Sequence, residues 1–226
     1  MRKEDLTLLV SGVLLVLTAA LLIILEPRVS SLFPQGGQAV VSSRLLTDPF
    51  LQFPTASSVR VVWFTEFQGQ EHTVSWGQPG QTPANAAENL PNQAVAVTTR
   101  LSRTREDEKS RINHPDFQEL KLSVPRPIWR HEAIVAGLTP GQRVPYQVTS
   151  RADDGTQIES RIFTLAPAPQ AGQPTTVLLT SDHQNMPMTA ANLQKVQETV
   201  GQVDAVLIAG DLVNIPDRAS EWFDDS

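Results

Sequence analysis

The chain has 226 residues, with 18 Lys or Arg against 24 Asp or Glu, which gives a formal net charge of −6 and a pI near 5.2. This acidic balance argues against a general nucleic-acid-binding protein, which needs a basic face. The sequence contains no cysteine, so disulfides, thiolate metal sites and cysteine nucleophiles are excluded. Hydrophobic residues make up 40% and charged residues 19%, a composition typical of globular proteins rather than of disordered chains.

An apolar run near the N-terminus predicts a membrane-spanning helix. Leu6 to Leu25 carry no charge, and at 1.5 Å per residue this run is about 30 Å of helix, the thickness of a bilayer's hydrocarbon core. Arg2 and Lys3 precede it, which favours a cytoplasmic N-terminus and an exported, periplasmic or extracellular body. Residues 1–26 are therefore predicted to be a signal anchor in contact with membrane lipid. Cleavage after the anchor is the alternative.

The pattern after residues 27–44, a predicted linker, changes to a period of two and predicts strands. In Ser58–Thr65, alternate residues are apolar, as in a strand with one core-facing side. Several such segments separated by turn residues predict an all-β sandwich over residues 45–165. The proline at 145 predicts an edge or bulged strand there. The other predicted strands are 73–76, 94–99, 132–136, 144–149 and 160–164.

A proline-rich linker at 166–174 leads to a segment, 175–226, that predicts a βαβ unit. Thr175–Ser181 and Asp204–Ala209 are continuous apolar runs, typical of strands buried on both faces. Between them, the sequence predicts a helix with Thr189 as its N-cap and Gly201 as its stop. Strand, helix and strand in this order predict a right-handed parallel unit.

Each predicted strand of this unit ends in an acid. Asp182 follows the first strand, and Asp211 follows the second, directly after a glycine. Carboxyl ends of parallel strands meet at one edge of a sheet, about 4.8 Å apart, so the two carboxylates are predicted metal ligands. The alternative is that each Asp only caps the following turn. His183 becomes a further candidate ligand only if the backbone kinks, because on an extended chain it points away from Asp182.

Short phrases in both regions resemble calcineurin-like metallophosphoesterases that carry a purple acid phosphatase-type, fibronectin-III-like N-terminal domain. In the sandwich and the C-terminal segment the matching phrases are Asp48–Gln52, Ser58–Trp63, His131–Ala133, Gly137–Gly141, Asp182 and Gly210–Val213. The resemblance implies that Asp182 binds a first metal and that Asp211 bridges two. It also implies a pair of Mn, Fe or Zn ions that binds a phosphate ester and lowers the pKa of a bound water.

The sequence departs from this family pattern in its ligands. Gln184 stands where the family has His or Gly, and Asn214 stands where purple acid phosphatases have a metal-binding Tyr; both amides are weak candidate ligands. The family's later Gly-Asn-His and histidine motifs have no counterpart, because none of the four histidines follows residue 183. These are His72, His114, His131 and His183.

Two functions follow as hypotheses from different classes. The first is a membrane-anchored, exported metallophosphoesterase, a metal-dependent hydrolase of phosphate esters, of which this chain is an N-terminal portion without a complete catalytic set. The alternative is a non-enzymatic, membrane-tethered β-sandwich that binds a partner and carries a vestigial phosphoesterase segment.

Overall fold

The computed structural model describes residues 44–86, 89–101, 105–107, 123–201, 203–216 and 218–224. In chain order the elements are β1 (Phe50–Gln52), β2 (Ser58–Thr65), β3 (Glu71–Trp76), α1 (Pro83–Ala86), β4 (Asn92–Val95), β5 (Val97–Arg100), β6 (Arg105–Asp107), β7 (Ser123–Pro125), β8 (Trp129–Ala136), β9 (Val144–Arg151), β10 (Gln157–Glu159), β11 (Phe163–Leu165), β12 (Val177–Thr180), α2 (Thr189–Val200), β13 (Ala205–Ile208) and α3 (Ala219–Phe223).

The predicted fold class and the predicted localisation both need correction. The described part of the chain is mostly β-sheet with few helices, and within it no helix is long and apolar enough to cross a membrane. Its longest helix, α2, has 12 residues, about 18 Å, which is well short of a bilayer core of about 30 Å. The prediction of a single-pass membrane protein is therefore wrong on this finding. The predicted anchor itself, bounded by Leu6 and Leu25, lies outside the described residues.

Two antiparallel sheets form the larger part of the fold. The first sheet has the order β1-β2-β8-β5, and the second has the order β10-β9-β3-β4, with β11 also paired to β9. Alternate side chains of β2, β3, β8 and β9 point between the sheets, because successive residues of a strand face opposite sides. The core they form contains Val59, Val61, Trp63, Val74, Ala133, Val135, Leu138, Val144, Tyr146, Val148 and Leu165.

Three strand predictions differ from the structure. The predicted strand at 160–164 overlaps only the start of β11, because residues 160–162 separate β10 from β11. The predicted strand at 94–99 is two strands: β4 pairs with β3, and β5 pairs with β8 in the other sheet. The strand that contains Pro145, β9, lies inside the second sheet, between β3 on one side and β10 and β11 on the other. The predicted edge or bulge is therefore wrong. Pro145 lies just beyond the register with β3, which ends at Tyr146, and it takes part through its carbonyl, which accepts a hydrogen bond of 2.9 Å from the N–H of Gly77. The missing N–H of the proline therefore costs the sheet a bond only at the end of this pairing.

The C-terminal strands β12 and β13 form a separate parallel pair joined by α2. Val177 lies opposite Ala205 and Thr180 opposite Ile208. The pair is not buried on both faces as predicted: Leu179 is 70% exposed, and every residue of α2 is at least partly exposed. Two strands and one helix offer too little surface to cover both faces of a sheet.

The helix boundaries of α2 are partly as predicted. Gly201 follows the last helical residue with a positive φ of 79°, the conformation that glycine adopts without strain. The predicted N-cap is wrong, because Thr189 is already helical and Met188 precedes it without a side-chain capping bond.

The short helix α3 packs against the outer face of the first sheet. Its Phe223 ring lies 5.1 Å from the ring of Phe64, in a second apolar cluster with Leu46 and Ile128. Next to this cluster, Arg126 donates hydrogen bonds to Asp224 at 2.7 and 2.9 Å and to Glu66 at 2.5 Å. The end of the chain is thereby attached to the sandwich.

Candidate functional site

The loops that follow β12 and β13 lie side by side and are joined by backbone hydrogen bonds. The N–H of Asp182 donates to the carbonyl of Gly210 at 3.2 Å, and the N–H of Gln184 donates to the carbonyl of Asp211 at 2.9 Å. The parallel register of the two strands continues into the loops in this way. Asp182 and Asp211 consequently lie on adjacent loops at the carboxyl edge of the pair.

The backbone of these loops is strained. Asp182, Gln184, Asn185 and Asp211 have φ values of 56°, 44°, 52° and 48°. This is the left-handed region, which residues other than glycine rarely adopt, although Asp and Asn enter it more readily than the others. Such residues cost on the order of 1 kcal/mol each and persist where neighbouring contacts impose them, most often at binding and active sites. The strain therefore marks this edge as a candidate site.

The two carboxylates at this edge are exposed. Asp182 accepts a hydrogen bond of 2.5 Å from the Ser181 hydroxyl, and both Asp182 and Asp211 are open to solvent. The kink at Asp182 is present, but the Nε2 atom of His183 is 2.7 Å from the hydroxyl oxygen of Thr180. The His183 ring is therefore held back along β12, which makes it a weaker candidate ligand.

The two amide candidates lie on the same two loops. The side-chain amide of Asn214 donates a hydrogen bond of 3.0 Å to the backbone carbonyl of Gln184. Asn214 thus links the loop after β13 to the loop after β12. The structure brings all five predicted ligands, Asp182, His183, Gln184, Asp211 and Asn214, to this one edge.

A buried glutamate, which the sequence analysis missed, holds the loop after β13. Glu221 of α3 is 1% exposed, and its Oε2 atom accepts hydrogen bonds from the N–H groups of Asn214 at 2.6 Å and Ile215 at 2.9 Å. The side chain of Arg218 lies 3.5 Å from its other oxygen. The backbone carbonyl of Glu221 accepts a hydrogen bond of 2.8 Å from Asn185. The local sequence feature that could have indicated this role is an acid inside the otherwise uncharged run Ala219–Phe223.

These residues match the needs of a metal ion only in part. Carboxylate and amide oxygens suit hard divalent cations, but protein metal sites ordinarily use three or more protein ligands. Among the described residues, no group of three or more His, Cys, Asp or Glu is arranged to hold a metal ion. The predicted pair of Mn, Fe or Zn ions is therefore not provided for by the described residues alone.

Comparison with known proteins identifies a shared fold. No protein-family model matches the chain, and no curated protein matches it. The chain is similar to the structure of purple acid phosphatase PPD1 from yellow lupin (Lupinus luteus) seeds, with a TM-score of 0.55, 21% sequence identity, and coverage of 77% of this chain and 30% of that chain.

A second solved structure is less similar. It is Astrotactin-2, a conserved vertebrate-specific and perforin-like membrane protein involved in neuronal development, with a TM-score of 0.33, 11% identity, and coverage of 70% of this chain and 27% of that chain. The chain thus spans less than a third of the length of either structure. At 21% identity, the likeness to purple acid phosphatase PPD1 establishes a common fold over most of the present chain.

Proposed function

We propose that the carboxyl edge of β12 and β13 is a metal-binding edge of the phosphoesterase type, with Asp182 and Asp211 as its principal ligands. The observation that carries this proposal is the placement of two exposed carboxylates on adjacent, strained loops that hydrogen-bond to each other. The fold likeness to a purple acid phosphatase favours phosphate esters as the substrate class.

Each residue of the edge has a distinct part in this proposal. Asp182 would hold one ion, and Asp211 would lie between two. Gln184 and Asn214 would add weak amide ligands, and His183 would first have to release Thr180. A bound Mn, Fe or Zn ion would polarise a phosphoryl oxygen of the substrate and lower the pKa of a bound water. Because only two of the candidate ligands at this edge are carboxylates, hydrolysis needs further ligands. Metal binding is therefore the property to be tested on this chain.

Titration calorimetry with Mn²⁺ alone tests the proposal on the full chain. Asp182→Asn and Asp211→Asn keep the side-chain size, and asparagine tolerates the left-handed backbone, so folding should be retained. We expect each substitution to weaken Mn²⁺ binding at least about tenfold, since a charged ligand becomes a neutral amide. The control is Asp153→Asn, which removes an exposed carboxylate of the sandwich and should leave the affinity unchanged. Equal affinity in all four proteins would contradict the site.

The alternative is a β-sandwich that binds a partner and has no enzymatic role. It is favoured by the lack of a three-residue ligand cluster within the described ranges. The same calorimetry separates the two functions: Mn²⁺ binding that is lost in Asp182→Asn and Asp211→Asn supports the metal-binding edge, whereas a wild-type chain that binds no Mn²⁺ supports the binding module.

A further inference from the structure

Two buried histidines, one from each sheet, stack on each other inside the sandwich. His72 belongs to β3 of the second sheet and His131 to β8 of the first. Their ring centroids are 3.6 Å apart with an interplanar angle of 19°. His131 is fully buried, and His72 is nearly so. The stacked rings are therefore a direct contact between the two sheets.

The hydrogen bonds of His72 are complete when its ring is neutral. Its Nε2 atom is 2.6 Å from the carbonyl oxygen of Gln68, which can only accept, so Nε2 carries the proton. Its Nδ1 atom is 2.8 Å from the Ser150 hydroxyl. That hydroxyl accepts the indole N–H of Trp63 at 2.9 Å and has its own proton left to donate to Nδ1. The tautomer is thus set by the partners.

The hydrogen bonds of His131 are likewise complete when its ring is neutral. The Thr65 hydroxyl lies 2.8 Å from Nε2 and gives its only proton to the carbonyl of Phe67 at 2.6 Å. The Nε2 atom must therefore donate to Thr65, and Nδ1 accepts from the Thr98 hydroxyl at 2.9 Å. Neither ring has a carboxylate as a hydrogen-bond partner, so the network contains nothing to neutralise an added proton.

The electrostatic surroundings also favour neutral rings. Burial, together with a smaller contribution from the neighbouring His72, lowers the pKa of His131 to about 3. Burial lowers the pKa of His72 as well, against opposing contributions from the Gln68 carbonyl, Asp153 and Glu71. A proton on either ring would place a positive charge in the core, 3.6 Å from the other ring, where desolvation makes an unpaired charge costly.

We propose that the stack of His72 on His131 is an acid-sensitive contact between the two sheets, which is intact while both rings are neutral and opens when a ring takes a proton from solvent. This inference is independent of any metal site. The unfolded chain binds protons as the pH falls below about 6.5, the ordinary pKa of histidine, whereas the folded core does not. The unfolding equilibrium constant therefore rises with acidity below that pH, by up to about tenfold per pH unit for each ring that stays neutral.

Urea unfolding of the full chain between pH 8 and pH 4.5 tests the proposal. Below pH 6.5 we expect the unfolding constant of the wild type to rise with acidity more steeply than that of His131→Gln. The difference should be about tenfold per pH unit, because the variant lacks the proton that His131 takes up on unfolding. Gln keeps an N–H that can donate to Thr65. Gln194→Ala, on the exposed surface of α2, leaves the core pair intact and should keep the wild-type slope. If the double variant His72→Gln/His131→Gln shows the same pH slope of the unfolding constant as the wild type, the proposal is overturned.

A second measurement needs only the wild-type protein and tests the same proposal if the variants do not fold. NMR titration of the ring Cε1–H signals should find His131 neutral at pH 5 in the folded chain and His72 titrating below the ordinary histidine pKa of about 6.5. Titration of either ring near pH 6.5 in the folded state would overturn the proposal.

Discussion

The sandwich and the C-terminal parallel pair are built from similar apolar strands, yet they bury them very differently. Val61 and Trp63 of β2 are fully buried, whereas Leu179 of β12 is 70% and Leu207 of β13 is 58% exposed. The sandwich has two sheets facing each other, while the parallel pair has a single helix beside it. Burial of a strand in this protein therefore depends on the number of surfaces that cover it and not on its apolar content.

The two regions also hold their polar groups in different ways. In the sandwich core, neutral hydroxyl, imidazole and indole groups of both sheets bond to each other. At the carboxyl edge of the parallel pair, a buried charged group, Glu221, accepts backbone N–H groups of a neighbouring loop. We therefore expect acid to weaken the core network and the removal of the Glu221 charge to loosen the loop after β13.

The largest expected effect in this comparison comes from truncating the sandwich core. Trp63→Ala should lower the free energy of unfolding by about 3–5 kcal/mol, since it leaves a cavity and removes the donor to Ser150. Leu179→Ala, the matched change on the parallel pair, should lower it by less than about 0.5 kcal/mol, because that side chain is exposed. Urea unfolding measures both values. Similar losses in the two variants would mean that Leu179 is covered in solution.

An intermediate effect is expected at the loop held by Glu221. Glu221→Gln should lower the free energy of local opening of this loop by about 2 kcal/mol, because a neutral amide replaces the buried carboxylate that accepts two N–H groups and faces Arg218. Hydrogen exchange should accelerate at the Asn214 and Ile215 amides, with β2 unaffected.

The control for this substitution is Glu198→Gln on α2. Its side chain is about half exposed and pairs with Lys195, so a change below about 0.5 kcal/mol is expected. Equal acceleration of exchange in β2 and in the loop would contradict the local role of Glu221.

The smallest expected effect is a gain in stability at the strained edge. Gln184→Gly should raise the free energy of unfolding by up to about 1 kcal/mol, because glycine adopts a φ of 44° without steric cost. The matched change Gln194→Gly, on the exposed surface of α2, should lower it by about 1 kcal/mol. Thermal unfolding without metal distinguishes the two signs, and destabilisation by Gln184→Gly would show that the backbone there is unstrained.

Local pattern was sufficient for several elements. Alternating apolar residues predicted a strand at Ser58–Thr65, and β2 has these bounds. The adjacency of the loops that carry Asp182 and Asp211 followed from the geometry of parallel strands. The division of 94–99 into two strands could not be read from the sequence, because the choice between sheets is made by partners far away in the chain.

The strand periods, the parallel unit near the C-terminus and the two acids at its edge could be predicted from local sequence, since these features depend on residues close together in the chain. The exposure of β12 and β13, the packing of α3 on the first sheet and the contact of His72 with His131 became known from the fold alone. The physical reason is that burial and pairing are properties of assembled surfaces, and these surfaces join segments whose separation along the chain leaves no local pattern.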